Sequence, residues 1–119
     1  MTEKKERTPI ELEDQMFQLR RDIETYEDKQ ADLRKWQAEL DEHFDYSQFQ
    51  LRQLHHYDMS QADVNLFSDI MQRQSHLHLL LQEENDKQMK GYKKSQESLE
   101  AELTDMKKTY NELFENKKS

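Results

Sequence analysis

The sequence predicts an all-α fold, a long antiparallel two-helix hairpin of coiled-coil type, on three observations. Leu12, Met16, Leu19, Ile23, Tyr26, Gln30, Leu33, Gln37, Leu40 and Phe44 follow one another at alternating spacings of 4 and 3 residues, the a/d pattern of a coiled coil. The pattern runs on through Ser47 to Leu51 and Leu54. Asn85, Met89, Tyr92, Gln96, Leu99, Leu103, Met106, Tyr110 and Leu113 repeat it toward the other end. One Gly and one Pro in 119 residues argue against most β architectures, whose turns need both.

The elements follow in chain order as one hairpin domain over residues 1–119. Residues 1–7 are polar and expected to fray. Thr8-Pro9-Ile10-Glu11 starts the first helix: Thr8 caps, Pro9 takes the N1 position where its missing N–H costs nothing, and Glu11 closes a capping box. No Gly or second Pro interrupts the chain before about Tyr57, where this helix is expected to end. The turn falls at Asp58-Met59-Ser60, and Ser60-Gln61-Ala62-Asp63 caps a second helix over about 61–115. Folding back near residue 59 sets Leu19 beside Leu99, Met16 beside Leu103 and Leu33 beside Asn85.

Two irregularities stand in the second helix. Val64, Phe67, Met71, Gln74, His78, Gln82 and Asn85 contain two successive spacings of 4, a stutter that locally unwinds a supercoil. It coincides with Leu77-His78-Leu79-Leu80-Leu81, apolar nearly all round. Gly91 marks a place for a kink, or for a helix end with a third helix from Ser95.

Composition narrows the function classes. Charged residues are 37% of the chain, the mean hydropathy is −1.31 and the net charge is −8. Nucleic-acid binding and adhesion to an anionic membrane need a basic face, which 18 Lys and Arg against 26 Asp and Glu do not supply. No apolar run is long enough to insert in a membrane, and MTEKKERTPIELED has no apolar segment of a signal peptide. Without cysteine there is no thiol chemistry, and the expected home is reducing and cytoplasmic.

Chemistry-bearing constellations are sparse. His43, His55, His56, His76 and His78 gather in the middle third, but His76 and His78 are i, i+2 and point apart, and no HExxH occurs. Carboxylate pairs such as Asp41-Glu42 and Glu83-Glu84 read as solvated faces, because a two-helix rod has no pocket to shift a pKa. No catalytic residue, metal or cofactor is expected. Gln30, Gln37, His78, Asn85 and Gln96 are polar groups at the seam, which fix register at a cost in stability.

Apolar residues off the seam carry the functional signal. Phe17, Trp36, Phe49, Leu66, Ile70, Leu79 and Leu80 cannot all face one hairpin groove, and Phe67 and Leu77 complete the candidate protein interface. A helical protein partner, or a second copy in a homodimer, would cover them.

A short, acidic, cysteine-free hairpin with a surplus apolar face resembles the small helical partners of LXG-domain toxins of the type VII secretion system, similar in build to WXG proteins. The resemblance covers the architecture of the whole chain. A WXG protein carries Trp-x-Gly in its turn. Here Trp36-Gln37-Ala38 lies inside the first helix, and Asp58-Met59-Ser60 has no Trp. The export signal of that family, an aromatic followed four residues later by an acid, is also missing, since Phe114 follows Tyr110 and Lys118 follows Phe114. These departures fit the partner type that relies on another subunit for its signal. The resemblance implies a non-catalytic adaptor or chaperone that pairs with the toxin's N-terminal helices, with a second small helical protein as a further partner, and is co-exported or stays behind. The alternatives are a self-associating scaffold and an export chaperone of the flagellar or type III machinery. An enzyme is the remaining class.

Overall fold

The structure is a computed structural model and describes residues 8–54 and 57–118, with side chains through Glu115. It is all-α: α1 spans Pro9–Gln53 and α2 spans Gln61–Lys118, packed antiparallel as a hairpin. His55, His56 and the first seven residues lie outside the described part.

Both helix starts are fixed by their caps. The Glu11 N–H donates to Thr8 Oγ1 at 3.2 Å and the Thr8 N–H donates to Glu11 Oε2 at 3.3 Å. Ser60 and Asp63 repeat the box: the Asp63 N–H donates to Ser60 Oγ at 3.1 Å and the Ser60 N–H to Asp63 Oδ2 at 3.3 Å. Each box satisfies orphan amide donors of a first turn and sets an acid against the positive end of the helix dipole.

The ends differ from expectation. α1 stops at Gln53, short of Tyr57, and the Tyr57 N–H donates to Leu54 O at 3.1 Å in a tighter turn. Leu51 is half-buried but the next seam position, Leu54, is exposed, so burial there does little to offset the entropy of further helix. α2 runs to Lys118, past the expected Glu115. It passes through Gly91 without interruption and with no positive φ, so a third helix beginning at Ser95 does not form. A Cβ built on Gly91 meets nothing within 4 Å. Gly91→Ala is therefore expected to stabilise the chain by about 0.5–1 kcal/mol, because alanine loses less backbone freedom in a helix. Thermal unfolding followed by circular dichroism checks it.

The hairpin divides into two compact units, Met1–Gln30 with Gly91–Ser119, and Ala31–Lys90.

The first unit holds the apolar seam. Met16, Leu19, Ile23 and Leu103 are buried together, with Leu99, Met106 and Tyr110 packed against them. Leu12 is almost fully enclosed, at 2% exposure. Gln30 is buried and donates to Gln96 Oε1, and Gln96 donates to Glu27 at 3.4 Å and Glu100 at 2.8 Å, so this polar layer is internally satisfied. Tyr26 and Tyr92 meet at 6.0 Å between ring centroids, with Lys29 Nζ 5.3 and 5.4 Å from the two rings.

At the far end of that unit the Tyr110 hydroxyl donates to Glu13 Oε1 at 2.6 Å. That bond, then partial desolvation and the Glu13 charge, raises the phenol above its ordinary 10.0. A raised folded-state pKa means that the bond's contribution is in place below pH 10 and is lost as pH climbs through the higher folded value. Glu13→Gln is expected to bring the Tyr110 titration back toward the ordinary value, read from the ring-carbon NMR shift.

Ala31–Lys90 is built differently. Its buried side chains among the described residues are Phe67, Gln48 and Asn85. Gln48 donates to Gln74 Oε1 at 3.1 Å and Gln74 donates to Ser47 Oγ at 3.0 Å. Gln48–Gln74 and Gln30–Gln96 lie about one and two helical turns from the pairing expected of a fold at residue 59, whereas Tyr26–Tyr92 and Asp41–His78 keep it to within a residue. The stutter is also displaced. Leu81 is half-buried and Gln82 exposed, so the two successive spacings of 4 fall at Leu81, Asn85 and Met89. The larger apolar side chain takes the seam in place of the amide.

Candidate functional site: an apolar groove beside a polar seam

The site is built in Ala31–Lys90. Trp36 lies one residue before the seam residue Gln37 and is 42% exposed. Together with Leu33 of α1 and Leu81, Glu84, Asn85 and Gln88 of α2 it lines an open cleft of about 300 Å³. That cleft fixes which side of the seam Trp36 occupies.

Helical spacing extends the cleft into a groove. Leu66, Ile70, Leu77, Leu81, Glu84 and Gln88 are separated by 4, 7, 4, 3 and 4 residues, which keeps them on one flank of α2. Leu66 and Leu77 are more than half exposed and Ile70 is exposed at 36%. Leu80 borders this flank, three residues after Leu77 and four before Glu84. Trp36, Leu66, Ile70, Leu77 and Leu80 are thus brought to one side.

The remaining candidates are placed elsewhere. Phe67 is buried at 8% exposure and belongs to the hairpin seam, so it is not available to a partner. It stands three residues before Ile70 and four before Met71, and the pull of the seam exceeds that of the flank. Leu79 is exposed but two residues from both Leu77 and Leu81, on the opposite side of α2. Phe49 is exposed next to buried Gln48 and faces outward from α1. Phe17 belongs to the other unit, where Arg21 lies 5.8 Å from its ring. The candidate interface is therefore one groove, three separate exposed positions and, at Phe67, a residue of the seam.

The other side of this seam is polar. His78 is 19% exposed in its side chain, stacks on Phe44 with 4.2 Å between centroids, and shares a 2.8 Å hydrogen bond with Asp41 Oδ1. Gln37 also donates to Asp41 Oδ1, at 2.8 Å. Asp41 keeps half of its side chain exposed, as expected of a solvated carboxylate, and also accepts from the seam. The signal was legible: a fold near residue 59 sets residue 78 within a position of residue 41. Two acceptors, Gln37 Oε1 and Asn85 Oδ1, are buried without a hydrogen bond.

Among the described residues, no three His, Asp or Glu side chains converge to hold a metal ion. No described helix is long and apolar enough to cross a membrane. No family model, curated protein or solved structure matches this chain.

Proposed function

We propose that the chain is a non-catalytic helical adaptor that binds another protein by taking one of its amphipathic helices into the groove of Ala31–Lys90. One observation carries the reading. In this unit two amides, Gln48 and Asn85, are buried in the seam with Phe67, while Trp36, Leu66, Ile70, Leu77 and Leu80 stand exposed. Buried amides contribute less to cohesion than apolar side chains in their place, and an exposed apolar flank gains free energy only when covered. Exposed clusters of this kind, rimmed by polar residues, mark interaction sites.

The resemblance to partners of LXG-domain toxins supports the finer reading. The bound helix would belong to the N-terminal helical region of a secreted effector, and the chain would act as its export chaperone. Cross-linking in the native host followed by mass spectrometry names the partner. Its helical region is then titrated against the wild type and the Trp36→Asp, Leu77→Asp variant. Unchanged affinity would falsify the groove reading. Deleting the gene tests the export role separately: an effector that still reaches the medium in normal amounts removes it. A stable homodimer by light scattering that takes no partner favours the scaffold alternative.

A further inference from the structure

We infer that the occupant of the groove is a single basic amphipathic helix of another protein, carrying an apolar heptad stripe flanked by Lys and Arg. The inference rests on the helix-binding reading above and adds the chemistry of the partner. The groove's floor sets its length. Leu66 to Gln88 covers about 35 Å of α2 at about 1.5 Å per residue, which matches an occupant of about three heptads.

The rim sets its charge. Asp32 and Glu39 stand one turn before and after Trp36 on the same face of α1, and both are exposed. On α2 the exposed Asp63 lies three residues before Leu66, and Glu84 lines the cleft itself. Arg73, on the same flank, is paired with Asp69 at 3.1 Å. Lys87 at the far end of α2, and Lys35 between Asp32 and Glu39 on α1, are bases bordering this face, fewer than its acids. A helix with Lys or Arg beside its apolar stripe meets these carboxylates, and its stems cover apolar surface while the charged heads stay wet. At the cleft, Asn85 Oδ1 has no hydrogen-bond partner and Glu84 beside it brings a carboxylate. Both oxygens accept, so a donor-rich side chain suits this level, reaching Asn85 once its amide turns outward.

The same charges disfavour a second copy of the chain. A two-fold dimer through this groove would bring two acidic rims together, in a chain of net charge −8.

The test uses the full chain and three synthetic helical peptides of about three heptads. All carry Leu at a and d. Their e and g positions are all Lys, all Gln or all Glu. Calorimetric titration at low salt is expected to rank them basic, neutral, acidic, with at least about tenfold between the first two, and the gap should close at high salt. Glu39→Lys combined with Glu84→Lys is expected to invert the order. Equal binding of the Lys and Gln peptides overturns the charge inference and leaves the helix-binding reading standing. No binding by any peptide to a chain that light scattering shows to be monomeric overturns both. A homodimer whose formation excludes the peptides assigns the groove to a second copy and overturns this inference.

Discussion

Replacing Trp36 and Leu77 together by aspartate is expected to weaken partner binding by at least a hundredfold while leaving the helical content of the chain unchanged. Fully burying a large apolar side chain contributes about 1.5–3 kcal/mol, and these two already hide about half of their surface, so losing both removes roughly 1.5–3 kcal/mol of binding energy. Each 1.4 kcal/mol is a factor of about ten in affinity. The new carboxylates add to the loss, because they would be desolvated against an already acidic rim. Both positions are at least 42% exposed in the free chain, so neither substitution opens a cavity. Leu79→Asp is the internal control. Leu79 is exposed to a similar degree, at 51%, but lies on the opposite side of α2. Its variant is expected to bind as the wild type does. If Leu79→Asp is as damaging as the double variant, the partner surrounds α2 and the groove is not the site.

Leu19→Ala is expected to have the largest effect on stability. Leu19 is buried among Met16, Ile23 and Leu103, with Leu99 and Met106 behind them. A buried Leu→Ala change costs about 2–5 kcal/mol, from lost transfer energy and an incompletely collapsed cavity. Domains are stable by only about 5–15 kcal/mol, so this is a large part of the whole. A loss of about 3 kcal/mol lowers Tm by roughly 10 °C. Leu80→Ala, at a position 47% exposed, is expected to change stability by less than about 0.5 kcal/mol. Thermal unfolding measures both. Hydrogen exchange adds the distribution: amides beside Met16, Leu19 and Leu103 should be better protected than those between His43 and Gln82, where the seam is polar. A uniform protection pattern would mean that the buried amides hold as firmly as the leucines.

Only part of the site could be read from spacing. The seam positions of α1 from Leu12 to Leu51 are all buried or half-buried where the alternation of 4 and 3 places them. The stutter of α2 lies one heptad beyond the place that spacing predicts, because Leu81 and Gln82 compete for one seam position and periodicity alone does not weigh their hydrophobicity. Trp36 and Leu77 could be recognised as surplus apolar residues, since no second seam was open to them. Phe67 could not be separated from the groove, because it stands in step with both the seam and its flank. Leu79 was grouped with Leu77 by nearness in sequence, although a helix turns about 200° between residues two apart.

Chain periodicity was enough to specify two helices, their capped starts, the position of the turn and the face on which each helix meets the other. These are local properties: caps act over three residues and a heptad repeats every seven, so each is written in a contiguous stretch. Which amides pair across the seam, how far each pair departs from a simple fold at residue 59 and which exposed leucines share a side with Trp36 all depend on distant residues meeting. Gln48 with Gln74, Asp41 with His78 and Trp36 with Leu81 are joined only when α1 lies against α2, and there side-chain size and hydrogen-bond reach choose among pairings that spacing leaves equal.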